Sequence, residues 1–228
     1  MRKTLLILPL LFWSSGAAGL TDGETIDRIY QHVSQLEEKY PNIRIRRTMT
    51  VRELDPDSGK VRKTSVSEQD VLAHVGERPQ IKILSCTVNG ASAKPEACEP
   101  KERDRKPPLR IFGPTGHQHY RFELLPQQLG GDTSFYRLKV IPKQKTKRHF
   151  EGVLEFTASD LSLHSSHGTI AAFPMAMKKM ELELFFDDLD GRSVPSRTRM
   201  DMTLYLPLVL NSRVISESVT SESRIPTD

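Results

Sequence analysis

Apolar residues recur at Ile26, Ile29, Tyr30, Val33 and Leu36, the i, i+3, i+4, i+7 spacing of one helical face, and Pro41 ends the run. Ahead of them, Thr21-Asp22-Gly23-Glu24 has the Thr-x-x-Glu form of a capping box, in which a hydroxyl and a carboxylate satisfy the free amides of a helix start. The spacing predicts one amphipathic helix over 23–40. Its stripe is modest, so the helix is expected to lie on a sheet or across a barrel mouth.

After Pro41 the period changes to two. Ile43, Ile45, Met49 and Val51 alternate with Arg44, Arg46, Thr48 and Thr50, broken on the inner side by Arg47, and Asp55-Pro56-Asp57-Ser58-Gly59 makes a turn. Further alternating or β-rich runs are predicted at 61–66, 81–88, 119–125, 135–141, 153–157, 180–186, 197–206 and 213–221. They are punctuated by Pro126, Gly130-Gly131, Pro142, Asp190-Gly191, Pro195 and Asn211-Ser212. The pattern is a chain of antiparallel hairpins. The stretch 94–108 is charged, Pro-rich and nearly free of apolar residues, which predicts a loop or a short exposed helix. The polar tail from Ser216 is expected to fray at its end.

Composition narrows the class. With 15 Pro, 13 Gly, 37% hydrophobic and 7% aromatic residues among 228, the chain is neither collagenous, coiled-coil nor polytopic, and one globular domain is expected. The formal charge of +4 is small and evenly scattered, which argues against nucleic acid as the partner. The first stretch is set apart: Arg2 and Lys3, an apolar run from Leu5 to Trp13, then Gly16-Ala17-Ala18. This is the layout of a cleaved secretory signal over 1–18, too short to span a bilayer, and it leaves a domain over 19–228. Without Arg2 and Lys3 the exported chain carries 31 basic and 29 acidic side chains. Export, as a soluble periplasmic protein, favours oxidation of Cys86 and Cys98, whose intervening residues include Gly90 and Pro95. A disulfide staple is expected from compartment and spacing, with two free thiols as the alternative.

The runs Phe135-Tyr136-Arg137-Leu138-Lys139-Val140-Ile141-Pro142-Lys143, Phe150-Glu151-Gly152-Val153-Leu154-Glu155-Phe156, Lys178-Lys179-Met180-Glu181-Leu182-Glu183-Leu184-Phe185-Phe186 and Leu189-Asp190-Gly191-Arg192-Ser193-Val194-Pro195 resemble, in this order, the LolA-like outer-membrane lipoprotein-sorting superfamily. The resemblance covers about the last hundred residues. It implies an incomplete, strongly curved antiparallel β-barrel, mainly β, with helices covering its concave face. It also implies a periplasmic location and a cargo of lipoprotein acyl chains or another lipid-like ligand. Ser159-Asp160-Leu161-Ser162-Leu163-His164 departs from the family pattern by being more polar and richer in His.

Alternation assigns inward faces to Met180, Leu182, Leu184 and Phe186 on one strand and to Met200, Met202, Leu204 and Leu206 on its neighbour, with Met175 and Met177 beside Pro174. Together with Ile45 and Met49, these residues of the two strands up to Leu204 and the two loop methionines are the candidate cavity lining; plain core packing has the same residue signature. The helix residues Ile26, Ile29, Tyr30 and Val33, with the loop from Pro174 to Met177, are the candidate lid.

Other chemistry is sparse. His117-Gln118-His119 and His164-Ser165-Ser166-His167 could offer imidazoles to a metal, but no carboxylate or cysteine accompanies them in a recognised spacing, so solvated turns are expected and no metal or cofactor is assigned. Asp187, Asp188 and Asp190 before Gly191 echo a calcium loop that lacks its closing Glu; a hairpin turn is favoured. Lys143, Lys145, Lys147 and Arg148 form a basic tip that suits anionic headgroups, an acidic partner or solvent. No Gly-x-Ser-x-Gly, His-Glu-x-x-His or phosphate-cradling loop occurs. The reading is a non-enzymatic carrier of an acyl chain or lipid; the alternative is a sensor or assembly module of the same fold that grips a membrane or periplasmic protein partner.

Overall fold

The computed structural model describes residues 21–99, 109–130, 133–207 and 210–226. Helix α1 (Asp22–Lys39) opens the described chain. The Thr21 hydroxyl accepts from the Glu24 amide while the Glu24 carboxylate accepts from the Thr21 amide at 2.8 Å, so the capping box forms as its spacing predicts. The leader over 1–18 and most of the charged stretch lie outside the described residues; of that stretch, Pro95–Ala97 is a single 3-10 turn.

Eleven strands follow among the described residues: β1 (Asn42–Leu54), β2 (Val61–His74), β3 (Gln80–Val88), β4 (Ala91–Ser92), β5 (Tyr120–Gly130), β6 (Thr133–Pro142), β7 (Phe150–Thr157), β8 (Leu163–Ile170), β9 (Met177–Leu189), β10 (Arg192–Leu206) and β11 (Leu210–Arg224). A short helix α2 (Gly116–His119) precedes β5. The strands form one antiparallel sheet in the order β4-β3-β2-β1-β11-β10-β9-β8-β7-β6-β5. The first strand pairs with the last, and β4 and β5 remain edges, so the sheet curves without closing. The mainly β, incomplete barrel expected from the sequence is the one formed.

One row of cross-strand partners shows how the concave face is built. It runs Leu124, Leu138, Leu154, Ser166, Leu184, Thr198, Ser218, Met49, Ser67 and Cys86 across ten strands. Large side chains fill the β5–β7 end, and small ones prevail towards β3. A sheet that curls crowds its inner side chains, so serine and threonine on the inside permit the bend, as a taper of residue size does in small barrels. Ser166, Ser218 and Ser67 in that row are buried.

Gly152 and Gly168 sit opposite each other in β7 and β8, and the Phe150 ring occupies the space their missing side chains leave. A Cβ at either glycine would stand 2.5–2.6 Å from Phe150 Cζ and would also meet the carbonyl of the facing strand. The pair lets the backbones and one ring approach closely.

The core is asymmetric. Ile29 of α1 packs with Phe112, Tyr120, Leu138, Val140, Leu154 and Phe156 at the β5–β7 end. A smaller cluster of Ile43, Ile45, Val71 and Val194 lies at the β1–β2 side. Cys86 and Cys98 are bonded, so the 3-10 turn is tied to the inner face of β3.

Two expectations are corrected. His164 and His167 lie on strand β8, not in a turn, while His117 and His119 lie in α2. The β2 run extends through His74, well past 66, since Ser67 and Gln69 are polar residues buried on the inner face. The run expected over 213–221 is strand β11, which reaches from Leu210 to Arg224 with Ser216 and Ser218 buried.

Candidate ligand-binding site

Between α1 and the concave face lies a cavity of about 360 Å³. Its roof is the second half of the helix, with His32, Val33, Leu36 and Glu37. Its floor is Leu154 of β7, Leu163 and Ser166 of β8, and Leu182, Leu184 and Phe186 of β9. One side is closed by Leu109, Ile111 and Phe112, and the opposite wall by Arg192 and Ser193 at the start of β10. That volume falls within the usual range of small-molecule sites.

The walls are held by local chemistry. The Leu109 amide donates to the Arg148 carbonyl at 3.0 Å, and the Tyr120 hydroxyl, which receives the Phe150 amide at 3.2 Å, lies on the Leu109 carbonyl, so the segment carrying Leu109 and Ile111 is pinned under the helix. Tyr30 donates its hydroxyl to the Gly113 carbonyl, stacks on His117 at 3.9 Å and meets Phe112 edge-on. The Leu163 amide donates to the Ser193 hydroxyl at 2.8 Å, fastening β8 to the wall that carries Arg192.

Placement of the expected lining is mixed. Leu182, Leu184 and Phe186 line the cavity, and from the helix so does Val33. Met180, Met200 and Met202 share their face, since Met200 is opposite Leu182 and Met202 opposite Met180, but none of the three lines the cavity. Leu204 is opposite Met177, again away from the cavity. Ile45 is in the smaller core cluster, and Met49 contacts the Gln69 amide through its sulfur. Met175 is 95% exposed in the β8–β9 connection. Ile29 is wholly buried in the main core, with Ile26 and Tyr30 packed on it, so the first half of α1 is an anchor and the second half a roof.

The sequence reading missed the polar end of the cavity. Glu37 forms an ion pair with Arg110. Arg192 lies close enough to feel the Glu37 carboxylate, yet burial dominates and pulls its guanidinium below the usual arginine range. Its Nη1 is buried without a hydrogen-bond partner among the described residues. The only hint in the sequence was an arginine directly after the Asp190-Gly191 turn. In that turn Asp190 and Gly191 both take positive φ, 53° and 84°, as a tight hairpin requires.

The architecture is an open curved antiparallel sheet with a helix on its inner face, the form expected from the sequence. In structure the chain is similar to the LolA superfamily protein NE2245 from Nitrosomonas europaea, at 13% identity and a TM-score of 0.46, over 89% of this chain and 94% of that one. It is also similar to an outer membrane lipoprotein-sorting protein domain from Vibrio parahaemolyticus, at 12% identity and a TM-score of 0.44, over 88% and 92% of the two chains. A Pseudomonas aeruginosa MucA/MucB complex is matched at 10% identity and a TM-score of 0.29, over 90% of this chain and 100% of that one. Likeness at this level carries no argument about ligand or partner. No protein-family model and no curated protein sequence matches the chain.

Proposed function

We propose that this chain is an exported, non-enzymatic binding or carrier protein that shelters a lipid-like ligand between α1 and the sheet. The observation that carries the reading is the cavity of about 360 Å³ with leucine and phenylalanine on its floor. A methylene group is of similar size to a water molecule, which occupies about 30 Å³ in the liquid, so the hollow accommodates a chain of roughly a dozen methylenes. Each contributes about 0.8 kcal/mol on leaving water, enough to hold one acyl chain without directed polar contacts. One chain of this length fits; the several chains of a lipoprotein anchor would need a wider opening between α1 and the sheet. The disulfide supports an oxidising, exported setting.

Mass spectrometry under non-denaturing conditions is expected to find lipid on the freshly purified protein. After delipidation it should take up a fluorescent acyl probe, and Leu184→Trp, which fills the floor, should weaken that uptake at least tenfold. A delipidated protein that folds yet takes up no probe overturns the proposal.

A second reading rests on Phe173 and Met175, which are exposed together in the β8–β9 connection. Such a tip suits a membrane or periplasmic protein partner to which cargo is passed, and cross-linking through Met175→Cys would capture it.

A further inference from the structure

We propose that the cavity selects a single-chain amphiphile with an anionic head, and that Arg192 is the residue that reads the head. This rests on the reading of the cavity as an acyl site and goes on to name the class of ligand.

A buried guanidinium is costly unless paired, and buried polar groups without partners are rare enough to need a reason. Around the polar end of the cavity the groups are Arg192, Glu37 with its partner Arg110, His32, and Ser166 and Ser193. Glu37 is the single carboxylate lining the cavity, and Arg110 already engages it; Asp160, near His32, is taken up by the Ser162 amide and hydroxyl. Arg192 and Arg110 thus face one lining carboxylate, leaving an excess of one positive charge among the arginines and carboxylates at the end of an otherwise apolar hollow. Arg192 Nη1 has no hydrogen-bond partner among the described residues. One more anion, entering with its hydrocarbon along Leu182, Leu184 and Leu154, would balance that charge and give Nη1 an acceptor. A carboxylate or phosphate suits the planar guanidinium best, since both accept its paired N–H groups side by side. A neutral head could accept a hydrogen bond from Nη1 but would leave the charge unbalanced, and a cationic head would add to it, so the same geometry disfavours both.

The test is calorimetric titration of the whole protein at pH 8 with decanoate, decyl phosphate, decanol and decyltrimethylammonium, which share one chain length and differ in head. Decanoate or decyl phosphate is expected to bind at least tenfold tighter than decanol, and decyltrimethylammonium weaker than decanol. The better of the two anions tells a fatty acid from a phosphate-headed lipid. Arg192→Met should abolish the gap between decanoate and decanol, and Arg192→Lys should restore part of it. Equal affinity for decanoate and decanol in the unaltered protein, or a gap that survives in Arg192→Met, overturns the headgroup proposal while leaving the acyl site standing. If the cationic ligand binds as tightly as the anions, the proposal fails without recourse to any variant. Binding of none of the four removes the acyl site as well.

Discussion

Tyr30 shows how one side chain turns a helix into a fixed roof. Its ring is packed among Phe112, Phe122 and His117, and its hydroxyl reaches the Gly113 carbonyl across the start of the β5 region. Tyr30→Phe keeps the ring and removes the hydrogen bond, so a loss of about 1 kcal/mol is expected in urea denaturation. Tyr30→Ala also empties the ring's place and should cost about 3 kcal/mol or more. At the same scale, His149 is buried beside Tyr120 and His119, and burial holds its pKa below the usual imidazole value. The unfolded chain therefore takes up this proton more readily than the folded one. The associated stability is full above the ordinary histidine pKa and declines as pH falls through the depressed folded value. Denaturation midpoints should drop between pH 7 and pH 5, and His149→Asn should flatten that part of the profile; an unchanged slope contradicts the assignment. At the β1–β2 turn, the Asp55 carboxyl accepts from the Asp57 and Ser58 amides and pairs with Arg62, which holds its pKa near about 2.

Among the elements, the β7–β8 hairpin carries the sharpest packing constraint. Because Phe150 lies over Gly152 and Gly168, Gly168→Ala must displace that ring or part the strands. Overpacking of this kind costs about 1–3 kcal/mol. Since Phe150 also lines the cavity, the substitution should lower acyl-probe affinity along with the melting temperature. The disulfide acts on another element, tying the 3-10 turn to β3. Its removal as a Cys86→Ala, Cys98→Ala pair should cost about 2–4 kcal/mol, chiefly by freeing the unfolded chain, and reductant should have a comparable effect on the unaltered protein.

These elements also mark where the sequence was readable. Alternation on β9 placed Leu182, Leu184 and Phe186 on one face, and the capping box fixed the start of α1, because both signals are local. Strand β8, with two histidines, two serines and a glycine in Leu163–Ile170, escaped because curvature there favours small polar side chains inside. Met180, Met200 and Met202 share the face of Leu182 but do not line the cavity, since periodicity gives a face and says nothing of where along a strand the hollow lies. Leu109, Ile111 and Arg192 enter the cavity from a connecting segment and the edge of a hairpin turn, positions with no period at all.

At the scale of the whole molecule, the pairing of β1 with β11 joins the two ends of the described chain, and the open edges β4 and β5 leave the sheet a trough rather than a barrel. The main core and the cavity share one end of that trough, so the protein is rigid where Ile29 sits and hollow under Leu36. The central claim is that a hydrocarbon chain occupies this hollow. The sequence has a single tryptophan, Trp13, within the stretch read as a leader, so the domain over 19–228 is itself a dark reference. In it, Phe186→Trp places one indole at the cavity wall, and Tyr205→Trp places one on the exposed face beside Lys178. Titration with a brominated decanoate, which quenches tryptophan on contact, should extinguish the Phe186→Trp emission saturably and leave the Tyr205→Trp emission nearly unchanged. Equal quenching at both positions, or none at the cavity position in a folded protein, contradicts the account.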